Sequence, residues 1–123
     1  LTIERNKQQG LGRLVRACAY SWKGIRSAWI EERAFREEIG LAVVILPAGL
    51  YVGRSGLERA ALTAPMLLVL IVELLNSAIE ALVDRGGLGR DNLAAMAKDM
   101  GSAAVLLSLG LLALVWVLVI SDR

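Results

Sequence analysis

The residues best suited to chemistry lie on one stretch, Val72-Glu73-Leu74-Leu75-Asn76-Ser77-Ala78-Ile79-Glu80-Ala81-Leu82-Val83-Asp84-Arg85. On a helix, Glu73, Asn76, Glu80 and Asp84 follow one another at steps of three or four residues and so share one face. The other faces carry Leu, Ile, Ala and Val. An apolar run from Ala60 to Val72, interrupted only by Thr63 and Pro65, precedes them. Inside a bilayer an ionisable side chain costs about 3 kcal/mol on insertion scales, so acids there mark a site by default. The bland alternative for Glu73 is a buried carboxyl that serves only helix packing, a task that apolar residues do at less cost. Glu80 and Asp84 have a second alternative as a solvated helix end, with Asp84 paired to Arg85 or Arg90. Asn76 and Ser77 could be interhelical hydrogen-bond glue, and this is the first choice for Ser77.

These groups need elements to hold them. The chain of 123 residues is 56% hydrophobic yet 21% charged, and the charges gather at segment ends. That pattern points to an all-α membrane protein forming a single domain over residues 1–123, an amphipathic surface helix followed by three transmembrane helices. The N-terminal segment, 1–31, opens with a polar stretch to about Gly10 that is expected to fray. It then repeats Leu14, Val15, Cys18, Trp22, Ile25 and Trp29 at helical spacing beside Arg13, Arg16, Lys23 and Arg26. Tryptophans next to basic residues suit the headgroup layer. Glu31, Glu32, Arg33, Arg36, Glu37 and Glu38 read as a charged hinge. The spans follow at 32–53, 58–85 and 92–120. The first is short in its apolar part and is broken by Pro47 and Gly49. Gly101, Ser102, Ala103 and Ala104 suit a close-packing helix surface. Basic residues concentrate in the N-terminal segment and the second loop, which places both in the cytoplasm.

Several chemistries are excluded or left without support. There is no histidine, so imidazole takes no part in acid–base or metal schemes. Cys18 is the one cysteine and reads as an inert small apolar residue. A net charge of +2 makes no case for nucleic acid. The N-terminus is polar and basic ahead of any apolar run, so no cleavable signal peptide is expected. At about 1.5 Å of rise per residue, Glu73 lies about 10 Å deeper than Glu80. Glu32, Lys98 and Asp99 can approach the level of Glu80, at the cytoplasmic edge of the hydrocarbon. Carboxylates and a lysine at the water edge, with a carboxylate and an amide below, suit phosphoryl transfer to a lipid. That chemistry needs Mg²⁺ on carboxylates and phosphates, a cation on the phosphates, and a group to orient the attacking hydroxyl. Gly86-Gly87-Leu88-Gly89 lacks the Gly-Lys-Ser/Thr ending of a Walker A loop. The residues alone therefore reach a polar intramembrane site and do not name its nucleotide.

The stretch from Glu73 to Arg85, with Ala97-Lys98-Asp99-Met100-Gly101-Ser102-Ala103-Ala104-Val105, resembles the bacterial integral-membrane diacylglycerol kinase family. Tyr20-Ser21-Trp22-Lys23-Gly24 through Glu32, and Ala34-Phe35-Arg36-Glu37-Glu38, extend the likeness and resemble its Gram-negative branch. The resemblance implies a homotrimer in the inner membrane with active sites shared between subunits. It implies ATP-dependent phosphorylation of diacylglycerol to phosphatidic acid. Glu73 would accept the proton of the lipid hydroxyl, and Asn76 would orient Glu73 or a phosphate oxygen. Glu32 and Glu80 would hold Mg²⁺ on the ATP phosphates, Lys98 would neutralise them, and Asp99 would position Lys98 or the nucleotide. Tyr20 would contact the nucleotide. Arg13, Ser21, Arg26, Glu38 and Ser102 match positions near the lipid. The chain departs from the family in its glycine-rich second loop, in Tyr51 where a tryptophan is expected, and in Pro47. Two other functions stay open beside this one: phosphorylation of undecaprenol, and a non-enzymatic small transporter or assembly subunit using Glu73 as a proton or cation site.

Overall fold

The computed structural model describes residues 2–86 and 91–123, with side chains described from residue 9 onward. The described residues form four α-helices: α1 (Thr2–Glu31), α2 (Arg33–Val52), α3 (Gly56–Arg85) and α4 (Asn92–Ser121). They fall into two compact units, Leu1–Glu32 and Arg33–Arg123.

In the first unit, α1 begins at Thr2, so the polar opening expected to fray is helical. Leu14, Val15, Trp22, Ile25 and Trp29 are exposed, as are Arg13, Arg16, Lys23 and Arg26 among them. Such an amphipathic helix, with apolar side chains uncovered, suits an interface. The expected charged hinge shrinks to one residue. Only Glu32 is non-helical, its N–H still donating to the Ala28 carbonyl at 2.9 Å, while Arg36, Glu37 and Glu38 lie inside α2.

In the second unit α3 is the central rod, packed against α2 on one side and α4 on the other. Its start is set by Ser55, whose hydroxyl accepts from the Glu58 N–H at 3.1 Å, and α4 starts at Asp91, whose carboxylate accepts from the Leu93 N–H at 2.8 Å. Each cap satisfies an amide that the first helical turn leaves without a partner. Ala42 of α2, Met66 and Val69 of α3 and Leu112 of α4 form the core. Met66, Val69 and the neighbouring Leu62 are fully buried. Both prolines lie inside helices, Pro47 in α2 and Pro65 in α3. A proline removes one rung of the hydrogen-bond ladder. One turn before Pro65, the Leu62 carbonyl accepts from Trp116 Nε1 at 3.0 Å, tying α4 to α3.

Helices α3 and α4 are each 30 residues, about 45 Å by helical rise, and are the two helices apolar and long enough to cross a membrane among the described residues. Most of α4 is uncovered: Leu106, Leu107, Leu114, Val117 and Leu118 all face outward. The α2 end of the bundle near Val52 is closed by cations. Arg59 Nε donates to the Leu50 carbonyl at 3.0 Å, and Arg123 Nη2 to the Val52 carbonyl at 2.7 Å, while Arg123 also pairs with Glu58 at 2.6 Å. These donors satisfy carbonyls that the last turn of α2 leaves open. The turn between α2 and α3 is tight. A Cβ at Gly53 would lie 2.9 Å from the Arg59 backbone nitrogen, so only glycine fits.

Candidate active site

At the opposite end of the second unit the polar residues of α3 meet those of α2 and α4. Glu73 and Asn76 are buried, at 4% and 7% exposure, on the face of α3 that packs into the bundle. Glu80, one helical turn beyond Asn76, is half-buried, and Asp84 is exposed. The row therefore runs from dry to wet along one helix, as the spacing of the four residues implies. Asn76 Nδ2 donates to Glu80 Oε1 at 3.5 Å, and Ser77 Oγ donates to Glu73 Oε1 at 3.5 Å. Both contacts are long and weak. Ser77 thus works within its own helix, where interhelical glue was expected.

Helix α2 contributes Glu38, 8% exposed and close enough to Glu73 to feel its charge. Helix α4 contributes a glycine and a lysine. At Gly101 the two helices come so close that a Cβ would stand 2.0 Å from Asn76 Oδ1. Of the small residues Gly101 to Ala104, only Gly101 is packed; Ser102, Ala103 and Ala104 are exposed. Lys98 Nζ pairs with Asp84 Oδ1 at 2.7 Å across α3 and α4. This corrects the pairing of Asp84 with Arg85 expected from sequence, because α4 brings a cation to it from far along the chain. Arg90, the other expected partner, lies outside the described residues. So does the Gly87-Leu88-Gly89 part of the second loop. Asp99, next to Lys98, is exposed.

Two oxygen atoms in this cluster are buried without a hydrogen-bond partner: Glu38 Oε2 and Asn76 Oδ1. Buried acceptors are rarely left so, and each costs about 1–3 kcal/mol. Both belong to the region where the sequence places chemistry. The carboxylate oxygens of Glu80 are the kind of donor a hard cation takes. Among the described residues no three acids converge to enclose a metal ion.

The remaining expected residues belong to the first unit. Tyr20 is exposed, and Lys23 Nζ stands 5.8 Å from the centre of its ring. Ser21 Oγ donates back to the Ala17 carbonyl at 2.8 Å, and Arg13 and Arg26 are exposed on α1. Glu32 is half-buried at the end of that unit. The structure thus brings together Glu38, Glu73, Asn76, Glu80, Lys98 and, at its margin, Asp84. Gly101 was not singled out as a site residue; its signal was a glycine one turn after Lys98 in an otherwise good helix former.

Residues 19–120 match the family model of prokaryotic diacylglycerol kinase. Curated relatives span nearly the whole chain. The diacylglycerol kinase of Pseudomonas aeruginosa is 48% identical over 109 residues, covering 89% of each chain. That of Escherichia coli is 46% identical over 112 residues, covering 90% of this chain and 91% of its own. That of Haemophilus influenzae is 41% identical over 110 residues, covering 89% and 93%.

Proposed function

Because the chain belongs to the prokaryotic diacylglycerol kinase family, we propose that it transfers the γ-phosphoryl group of ATP to the hydroxyl of 1,2-diacylglycerol, giving phosphatidic acid at the cytoplasmic face of the inner membrane. The observation that carries this reading is Glu73, a carboxyl only 4% exposed in the middle of an apolar rod, joined there by Asn76 and Glu38. Apolar packing alone would not retain three polar side chains at that depth.

In this reading each residue has a task set by its height. Glu73 receives the proton of the lipid hydroxyl as its oxygen attacks phosphorus, a role that calls for a base within hydrogen-bond reach. Asn76, wedged against Gly101, holds one amide face toward Glu80 and orients the groups around it. Glu80 and Glu32 would hold Mg²⁺, which would supply positive charge against that of the phosphates. Lys98, paired with Asp84 at the wet end of α3, offsets the charge of the phosphates. Tyr20 and Asp99 meet the nucleotide, and Arg13, Ser21, Arg26 and Ser102 meet the lipid. Phosphoryl transfer asks for little beyond this, since positioning and charge supply most of the catalysis. We further propose that α2 is a third span, that the N-terminus is cytoplasmic, and that three copies of the chain assemble. The broad uncovered apolar face of α4 is consistent with contacts to lipid and to a second copy.

The test is radiolabelled ATP with Mg²⁺ and a mixture of diacylglycerol and undecaprenol in detergent. Label on diacylglycerol is expected. Label confined to undecaprenol, or no labelled lipid, contradicts the proposal.

A further inference from the structure

Glycine inside a helix is less favourable than alanine, so a buried one within a long helix calls for a reason. Gly101 is such a residue in α4. A Cβ built there would collide with Asn76 Oδ1 of α3, and the next two nearest atoms, Cγ at 3.1 Å and Cβ at 3.8 Å, also belong to Asn76. Gly49 of α2 differs. A Cβ there would meet Thr63 and both the side chain and the backbone of Leu62, as close packing of two helices does. The space kept at Gly101 is thus a socket for one side chain. Ser102, Ala103 and Ala104 beside it are exposed, so a surface of small residues does not account for it. The socket also fixes how the amide lies. Asn76 Nδ2 donates to Glu80 Oε1 at 3.5 Å, which leaves Oδ1 against the bare Cα of Gly101, buried and without a hydrogen-bond partner. Along the direction a Cβ would take, glycine carries a hydrogen, and contacts from Cα–H to oxygen recur where helices touch. A methyl in its place would push the amide out of the socket and away from Glu80.

We propose that Gly101 is a positioning residue for the transfer reaction: its bare Cα on α4 holds the Asn76 amide turned toward Glu80, and it acts on the chemistry only through that side chain. This rests on Asn76 orienting the groups that react. A glycine between two helices can serve in either of two ways. One that lets two backbones approach is needed whatever stands opposite. One that makes room for a single side chain is needed only while that side chain is present.

The test is a double-mutant cycle on the full chain in detergent micelles, reading the kcat of lipid phosphorylation and the melting temperature. Gly101→Ala alone should lower kcat roughly tenfold, within the range that misplacement of a catalytic group costs. Asn76→Ala should be slow by itself, and adding Gly101→Ala should slow it no further. The melting temperatures form a second arm and decide the matter where Asn76→Ala turns over too slowly to read. With Asn76 cut back the socket is empty, so adding Gly101→Ala to Asn76→Ala should raise the melting temperature by a few degrees, as alanine in place of a helical glycine does. An equal loss of kcat, or an equal fall in melting temperature, from Gly101→Ala in both backgrounds overturns the proposal and makes Gly101 a backbone contact. A slow Asn76→Ala beside a Gly101→Ala with wild-type kcat overturns this proposal alone. Wild-type turnover in Asn76→Ala overturns it together with the role given to Asn76.

Discussion

The two ends of the α2–α4 bundle are both polar, yet they are built on opposite principles. At the Arg123 end Arg59, Arg123 and Glu58 all have partners. Arg59 and Arg123 close the carbonyls of Leu50 and Val52, and Glu58 answers Arg123. At the Lys98 end, two oxygens are buried without partners and Asn76 is jammed against a glycine. The first arrangement is what a fold needs to end three helices tidily. The second costs stability and is retained where substrate would supply what is missing. Satisfied polar groups thus mark the scaffold of this molecule, and unsatisfied ones mark its site.

Variants at the two ends should separate activity from stability. The largest effect belongs to Glu73→Gln, which is expected to lower turnover by roughly a hundredfold or more, the scale of a lost general base. Equilibrium binding of Mg·ATP, measured by titration, should remain; its loss would move Glu73 to the metal. Next is Lys98→Met. It removes the cation and leaves Asp84 unanswered, and should raise the KM for ATP about tenfold, the scale of one charge-assisted hydrogen bond. An unchanged KM would make the Lys98–Asp84 pair a helix tie and nothing more.

A pair of glycine variants sharpens the contrast. Gly101→Ala drives a methyl at the Asn76 amide, which can swing aside, so kcat should fall while the melting temperature changes little. Gly53→Ala drives a methyl at the backbone of Arg59, which cannot move so easily. That should cost about 1–3 kcal/mol of stability, read as a lower melting temperature, with kcat kept in the protein that remains folded. The smallest effect is expected of Arg123→Gln, a drop of a few degrees in melting temperature with turnover intact. If Gly53→Ala or Arg123→Gln lowered kcat as Gly101→Ala does, the division between the two ends would be lost.

The rod itself was legible in the sequence. The acid and amide positions of α3 follow helical spacing, and their gradient from buried Glu73 to exposed Asp84 follows from the apolar run behind them. What could not be read were contacts between helices. The pairing of Lys98 with Asp84, the meeting of Glu38 and Glu73, and the notch at Gly101 depend on the register of α2 and α4 against α3, which no local pattern encodes. The run of charges from Glu31 to Glu38 misled for a related reason. Charge density suggested a hinge, but Arg33 and Glu37 form an i,i+4 pair at 3.0 Å that suits a helix, so α2 begins at once after Glu32.

The central claim is that burial of Glu73 is maintained for chemistry at the expense of stability. It is tested most directly by measuring melting temperature and lipid phosphorylation on the same preparation of Glu73→Gln. The account predicts a melting temperature equal to or above that of the wild type, with labelled phosphatidic acid lost. A variant that melts lower and still phosphorylates diacylglycerol at the wild-type rate would contradict it.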